Sequence, residues 1–207
     1  MTAAERRPGL ILGSGSRTRR QILAGTGLPF TVIPSKVDES AIKARGMARN
    51  LAHDDIVYAL AEAKGLDVSQ SHPQDMVIAA DQILSLDDRI LDKPVGPDGV
   101  RDHLRLLGGR SHFLRNAIVL VQGGRVVWSY RDCLTMTMRP LSDRAIAAYV
   151  SAAPADVVSS VGGYQIEGIG IHLFSAMDPD WNAIRGLPLV PLLAGLRAQG
   201  MDGLPVV

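Results

Sequence analysis

The stretch Val77–Lys93, VIAADQILSLDDRILDK, is the part of the chain around which the rest is organised. It opens with a short apolar run, which we expect to be a buried strand that ends on the acid Asp81. A second strand-like piece, Ile83–Leu86, follows, and Lys93 stands just before a proline, which favours an extended or turn conformation. A carboxylate at a strand end with an ammonium nearby suits a phosphate substrate bound with a metal ion. The stretch therefore predicts part of a phosphate site.

The composition is that of an ordinary folded chain. Of its 207 residues 46% are hydrophobic but only 4% aromatic, so the core is expected to consist of Leu, Val, Ile and Ala. A net charge of +1 favours neither nucleic acid nor a membrane as a partner. The single cysteine, Cys133, excludes an internal disulfide and a multi-cysteine zinc cluster, and we predict a buried structural thiol. With no apolar run of membrane-spanning length and no signal-peptide pattern, we expect a cytoplasmic protein.

A strand, a small-residue loop and a helix are predicted near the start of the chain. Gly9–Leu12 reads as the strand, the loop contains Ser14 and Ser16, and three arginines within Arg17–Arg20 begin the helix. Ser16 is the candidate N-cap. Loop N–H groups and hydroxyls beside a helix N-terminus favour anions. The pattern matches neither a Walker P-loop nor a Rossmann motif, so two interpretations stay open, a phosphate-binding loop and a solvated basic helix start.

Two more candidate residues lie between this loop and the central stretch. Glu39 follows an edge strand predicted over Pro29–Pro34. The next segment, Ser40–Asn50, is polar and without periodicity, so we predict a loop. Asn50 is the candidate cap of a helix in which apolar residues repeat at helical spacing, and Lys64 is placed near its C-terminal end. The alternative interpretations are a solvated loop acid for Glu39 and a solvated lysine that favours the helix dipole for Lys64.

The second half of the chain predicts antiparallel strands. A strand over Phe113–Val121 meets the turn Gly123-Gly124, a short strand follows the turn, and Arg131–Met138 reads as a third strand. A later glycine-rich cluster contains the acid Glu167. Strands and helices alternate early and hairpins come later, which predicts a mixed sheet in an α/β chain. No linker divides the sequence, so we predict a single domain over residues 1–207.

Separated motifs occur in one order along most of the chain: Leu10–Arg20 with the pattern Ser-x-Ser-x-x-Arg-Arg, Val37-Asp38-Glu39, Ala61-Glu62-Ala63-Lys64, Ala80-Asp81-Gln82, Lys93-Pro94, Tyr164–Gly168 and Gly186-Leu187-Pro188. In this order they resemble the Maf family of nucleotide pyrophosphatases. The resemblance implies the ITPase-like/Maf fold, an α/β architecture with a mixed twisted sheet, flanking helices and two lobes around a central cleft.

The resemblance also implies an activity. Family analogy gives water attack at the α-phosphate of a nucleoside triphosphate, with release of a nucleoside monophosphate and pyrophosphate, so the chain would be a hydrolase acting on acid anhydrides. A divalent cation, Mg²⁺ or Mn²⁺, is the implied cofactor. Asp81 matches the catalytic acid of the family and is assigned as proton acceptor and metal ligand. Glu39 is the second implied catalytic and metal-binding carboxylate.

Other residues are implied to bind the substrate. The phosphates would be held by five of them: Ser14, Ser16, Arg19, Lys64 and Lys93. Arginine suits this role because its planar fork binds phosphate through two N–H groups. Glu167 is predicted to accept hydrogen bonds from the amino groups of a guanine-type base, with a polar loop residue as the alternative. Gln82 is predicted to contact the substrate or to support a residue that does.

The motifs also bear on the base of the nucleotide. One branch of the family prefers dTTP and UTP and reads Ala-Asp-Thr and Ile-Gln-Gly, and another prefers 7-methyl-GTP and reads Ser-Asp-Gln and Ser-Glu-Gly. Asp81-Gln82 and Ile166-Glu167-Gly168 are similar to the second branch. Two alternatives stay open, a dTTP/UTP pyrophosphatase and a nucleotide-binding regulator of cell division, because family members are linked to septum formation. The expected partner is a small nucleotide, and a homodimer is the candidate assembly.

Overall fold

The computed structural model describes residues 8–202 of the chain. Seven strands occur within that range: β1 (Leu10–Leu12), β2 (Thr31–Val32), β3 (Met76–Leu86), β4 (Arg89–Leu91), β5 (Ser111–Gln122), β6 (Arg125–Met138) and β7 (Phe174–Met177). Their hydrogen-bonding order is β2-β1-β3-β5-β6-β7, and β4 pairs with β3. β1 is parallel to β2 and β3, whereas the β3–β4 and β6–β7 pairs are antiparallel. The sheet is therefore mixed.

Helices flank these strands. Between residues 8 and 202 they are α1 (Arg17–Ala24), α2 (Glu39–Ala48), α3 (His53–Ser71), α4 (Gly96–Leu107), α5 (Asp143–Ala152), α6 (Trp181–Ile184) and α7 (Leu189–Ala198). None of these helices combines the length and the apolar character needed to cross a membrane. A mixed sheet with flanking helices confirms the α/β fold class predicted from the sequence.

The central strand β3 is longer than predicted. It runs without interruption through Asp81, so the prediction that the buried strand ends at this acid is wrong. Its N-terminal part pairs in parallel with β1, and its C-terminal part pairs with β4. The strand continues because Ile83 and Leu84 supply further buried side chains and because the Asp81 carboxylate is paired with the ammonium of Lys64, 2.8 Å away. A buried acid with a partner costs far less than an unpaired one.

The segment predicted as a loop after Glu39 is helical. In α2 the side chain of Asp38 accepts a hydrogen bond from the Ala41 N–H at 3.0 Å and so caps the first turn. The periodicity is missing from the sequence because the buried contact of α2 is made by a glycine. A Cβ at Gly46 would lie 2.8 Å from Ile56 of α3. Asn50 is not the cap of α3, since that helix begins at His53.

The described residues divide into two compact units. The first contains residues 8–81, 116–132 and 185–202. Its core joins side chains from β1, α1, β3, β5 and α7, among them Leu12, Leu23, Ile78, Leu120 and Leu192. Three separate stretches of sequence thus share one core. Ser16 caps α1 as predicted, because its Oγ accepts a hydrogen bond from the Arg19 N–H at 3.3 Å.

The second unit contains residues 82–115 and 133–184. Its core includes Leu84, Leu104, Met136, Ile146 and Tyr164. The helix α5 begins after Ser142, whose Oγ accepts a hydrogen bond from the Ala145 N–H at 3.2 Å and so caps its first turn.

The strand β6 follows β5 through the predicted turn at Gly123-Gly124. It is one strand of 14 residues, so the predicted division into a short strand and Arg131–Met138 is wrong. Its side chains alternate between exposed and less exposed positions, and Cys133 lies at an exposed one. The prediction of a buried thiol is therefore wrong, because Leu134 and Met136 occupy the buried face.

A glycine in the second unit has a steric role that leads to a test. A Cβ at Gly170 would collide with the backbone carbonyl of Gln165, whereas a Cβ at Gly168 would meet open space. We expect Gly170→Ala to lower the free energy of unfolding by about 1–3 kcal/mol. Gly168→Ala is the matched control and is expected to change it by less than about 0.5 kcal/mol. Urea unfolding of both variants measures the difference, and equal losses would contradict the steric explanation.

His112 is a buried titratable group in the core of the second unit. Its ring is fully buried, and its Nε2 lies 2.8 Å from the hydroxyl of Tyr164. Phe174 packs against the same ring with centroids 6.0 Å apart. Burial lowers the pKa of His112 from 6.5 to about 4, because the charged imidazolium would lose its solvation there.

This lowered pKa predicts acid sensitivity. Between pH 6.5 and about 4 the unfolded chain binds a proton at His112 that the folded chain does not, so the free energy of unfolding falls as the pH falls through this window. The full contribution is about 3 kcal/mol. In urea unfolding from pH 7 to pH 4.5, about the window of the shift, His112→Gln is expected to lose less stability than the wild type. His172→Gln, at an exposed histidine, is the control and should follow the wild type.

Candidate active site

Two carboxylates meet at one ammonium in the first unit. Lys64 Nζ lies 2.8 Å from Asp81 Oδ2 and 2.9 Å from Glu39 Oε1. Three elements position these groups, since Lys64 is on α3, Asp81 on β3 and Glu39 at the first residue of α2. Lys64 and Asp81 are buried, whereas the side chain of Glu39 is 50% exposed.

The interpretation of Lys64 as a solvated lysine is wrong. The helix α3 continues to Ser71, so Lys64 is not near its end, and its ammonium is buried against the two acids. A buried charge requires partners of opposite sign, which Asp81 and Glu39 provide.

The serine-rich loop between β1 and α1 is held together by its own side chains. Ser14 Oγ accepts a hydrogen bond from the Ser16 N–H at 3.3 Å and another from Arg19 Nη1 at 3.3 Å. Arg19 Nε donates to the carbonyl of Gly186 at 2.8 Å. Arg19 is buried, so for this residue the interpretation as part of a solvated basic helix start is wrong. Arg17, by contrast, is exposed.

Electrostatics link this loop to the acid pair. Burial lowers the pKa of Arg19, and the negative charges of Asp81 and then Glu39 oppose that decrease. The guanidinium is therefore within electrostatic reach of both carboxylates. The predicted site residues of the first unit, namely Ser14, Ser16, Arg19, Glu39, Lys64 and Asp81, are brought into one region by these contacts.

The other predicted site residues belong to the second unit. Lys93 is exposed between β4 and α4, and Glu167 is exposed between two short 3₁₀ turns. Gln82 is partly buried, and its Nε2 donates to the carbonyls of Ala183 at 3.2 Å and Ile184 at 3.1 Å. The amide nitrogen of Gln82 thus binds the short helix α6, which is a structural role that the sequence did not predict.

Two contributors to the region were not assigned a role from the sequence. Gly186 supplies the carbonyl that accepts from Arg19 Nε, and Asp38 caps the helix whose first residue is Glu39. Signals for both were present, because Gly186 begins one of the separated motifs and Asp38 precedes Glu39 in another. For Gly186 the role itself has no signature in the sequence, because any residue supplies a backbone carbonyl, whereas Asp38 is a residue type that commonly caps helices.

The donor set bears on which metal would fit. Within residues 8–202 no group of three or more His, Cys, Asp or Glu side chains could hold a metal ion. Asp81 and Glu39 are instead two acids close to one another, since both contact Lys64 Nζ. Mg²⁺ is commonly bound by one or two protein carboxylates, with water and substrate phosphates as its other ligands. The pair fits a cation that is bound in this way.

Comparison with known proteins gives a consistent result. The family described as Maf-like protein matches residues 9–199. A nucleoside triphosphate pyrophosphatase of Nitrobacter hamburgensis is 46% identical over 193 residues, which are 93% of this chain and 94% of the relative. A 7-methyl-GTP pyrophosphatase of Mesorhizobium japonicum is 43% identical over 195 residues, 94% of this chain and 98% of the relative. Another 7-methyl-GTP pyrophosphatase, from Rhizobium etli, is 42% identical over 197 residues, 95% and 99% of the two chains.

Proposed function

Because the chain belongs to the Maf family, we propose that it is a nucleoside triphosphate pyrophosphatase. Family membership confirms the resemblance that the separated motifs indicated. The proposed reaction is hydrolysis of the α–β phosphoanhydride bond, with release of a nucleoside monophosphate and pyrophosphate. Pyrophosphatases are hydrolases acting on acid anhydrides, and the names of the relatives support this class. The observation that carries the proposal is the convergence of Asp81 and Glu39 on Lys64, within electrostatic reach of Arg19.

The proposed role of Asp81 is to accept the proton of the attacking water. The water oxygen bonds to the α-phosphorus, the bond to the bridging oxygen breaks, and the electron pair leaves with pyrophosphate. A positioned carboxylate that takes the proton in the transition state contributes about 10²–10⁴-fold to the rate. The buried ammonium of Lys64 holds the carboxylate in place at 2.8 Å.

The proposed role of Arg19 is to bind phosphate oxygens. Its Nε donates to Gly186 and its Nη1 to Ser14, which fixes the plane of the guanidinium. Arginine has five N–H donors, so the remaining ones can donate to a phosphate. The loop N–H groups and the hydroxyls of Ser14 and Ser16 lie beside the N-terminus of α1, where an anion is favoured. Preorganised donors of this kind stabilise the charge that develops on the leaving pyrophosphate.

A divalent cation, Mg²⁺ or Mn²⁺, is part of the proposal. Asp81 and Glu39 would hold it together with the phosphates of the substrate. When bound, such a cation supplies Lewis-acid stabilisation of the negative charge on the phosphoryl oxygens.

For the base we propose the 7-methyl-GTP class. Support comes from the similarity of Asp81-Gln82 and Ile166-Glu167-Gly168 to that branch and from the names of the Mesorhizobium and Rhizobium relatives. Glu167 is exposed, so its carboxylate can accept hydrogen bonds from a guanine-type base. Gln82 is the other residue of this branch pattern, and its Nε2 donates to the carbonyls of Ala183 and Ile184.

The experiment is a pyrophosphate-release assay over 7-methyl-GTP, GTP, dTTP and UTP. Turnover is expected with Mg²⁺ or Mn²⁺ and is expected to stop with a chelator. The highest kcat/KM is expected for 7-methyl-GTP. A higher kcat/KM for dTTP and UTP would assign the chain to the dTTP/UTP branch of the family. Nucleotide binding without turnover of any of these substrates would favour a regulatory protein. Full activity with the chelator would exclude the metal.

A further inference from the structure

The ammonium of Lys64 contacts the same two carboxylates that would hold the proposed metal. Its Nζ contacts Asp81 Oδ2 at 2.8 Å and Glu39 Oε1 at 2.9 Å, and it is buried. Two adjacent carboxylates repel one another when no cation lies between them. Lys64 therefore already supplies the positive charge that makes this pair of acids stable in the folded chain.

We propose that Lys64 is a resident counter-ion that competes with the divalent metal for Asp81 and Glu39. This inference rests on the proposed function, because it concerns the metal of that reaction. A cation of charge +2 placed beside the ammonium would be repelled by it, and the burial of Lys64 and Asp81 strengthens that repulsion. The pair of acids is therefore a poor metal site as long as Lys64 remains bound to both of them.

The two contacts of Lys64 differ in how easily they open. Asp81 is buried in the middle of β3, whereas Glu39 is half-exposed at the start of α2. Glu39 is thus the partner that can leave. An ammonium has three N–H donors and uses two here, so the third can donate to a phosphate oxygen of an incoming nucleotide. When the ammonium of Lys64 donates to the phosphates of a nucleotide, its contact with Glu39 is lost and Glu39 becomes available to the metal. Metal binding at this pair of acids therefore depends on the presence of the nucleotide.

Calorimetric titration of Mn²⁺ into the nucleotide-free protein tests this competition. The wild type is expected to bind Mn²⁺ weakly, and Lys64→Met is expected to bind it at least about tenfold more tightly, because the competing charge is gone. Lys36→Met removes an exposed lysine of the same unit and is expected to match the wild type. Thermal unfolding gives a second readout, in which Mn²⁺ should raise the Tm of Lys64→Met more than that of the wild type.

A second variant keeps the test decisive if Lys64→Met does not fold. In Lys64→Gln a polar N–H donor stays beside the two acids without carrying a charge, and the same gain in Mn²⁺ affinity is expected. Mn²⁺ affinity at or below that of the wild type in both variants would overturn the inference. The result is separable from the proposed function, because metal binding is measured without turnover. A wild type that releases no pyrophosphate would refute the function alone, whereas an active wild type whose lysine variants gain no affinity would refute the counter-ion role alone.

Discussion

Asp81→Asn is expected to lower kcat for pyrophosphate release by about 10²–10⁴-fold. The amide has nearly the same shape as the carboxylate but cannot take a proton from the attacking water. The variant should still fold, because the amide oxygen can accept a hydrogen bond from Lys64, and Glu39 remains as a charged partner of that ammonium. Pyrophosphate release at saturating nucleotide measures the loss, and urea unfolding of the same preparation measures the fold.

The matched control for this substitution is Asp88→Asn, which changes an exposed acid in the turn between β3 and β4. It is expected to leave kcat unchanged. If Asp81→Asn kept the wild-type kcat, Asp81 would have no part in the proton transfer. A decrease of the same size in both variants would point to a general effect of charge and not to a specific base.

Arg19→Met is expected to lower kcat/KM by about 10²–10³-fold, the size of effect seen when one preorganised donor to a developing anion is removed. The substitution removes the guanidinium that we propose to bind phosphate and also the contacts that connect α1 to Ser14 and to Gly186. Arg19→Lys keeps the charge without the planar fork, so we expect it to recover part of the loss. Initial rates over a range of nucleotide concentrations separate the effects on KM and kcat.

The same helix offers the control for Arg19. Arg17→Met removes an exposed arginine two residues earlier and is expected to keep kcat/KM near the wild-type value. Equal losses in the two variants would mean that the helix attracts nucleotides by general positive charge. A fully active Arg19→Met would show that Arg19 supports the loop without binding phosphate.

Local features of the fold were readable from the sequence where one side chain satisfies one backbone group. Ser16 was predicted as a cap and is one, because a serine oxygen just before a helical segment can accept a hydrogen bond from a backbone N–H of the first turn. The helix α2 was not predicted, because it packs through Gly46 and has no apolar stripe that a periodicity could detect. The unbroken strand β3 was not predicted either. An acidic residue within an apolar run indicates the end of a buried strand, and the sequence does not show that Lys64 pairs with Asp81.

For the candidate site, the residue types were predictable but the partners were not. Lys64 and Asp81 are separated by 17 positions, and only the packing of α3 against β3 makes them an ion pair. Resemblance to the family named both residues, but it assigned Lys64 to the phosphates and gave no sign of its contact with Glu39. Gln82 was predicted to contact the substrate or to support a residue that does, and nothing in the sequence indicated that its amide nitrogen donates to the backbone carbonyls of Ala183 and Ile184. Such contacts depend on three-dimensional neighbours that a linear motif does not encode.

The hydrogen bond from Arg19 to Gly186 has a consequence for the synthesis of the protein. These residues are 167 positions apart, and α7, which follows Gly186, fills the core beside β1. A ribosome that has made only the first half of the chain has therefore made the serine loop without the carbonyl that orients its arginine and without the side chains that cover its strand. Nascent chains that stop before Gly186 are expected to lack activity, so the serine-rich loop between β1 and α1, which is translated early, is among the last parts of the fold to be completed.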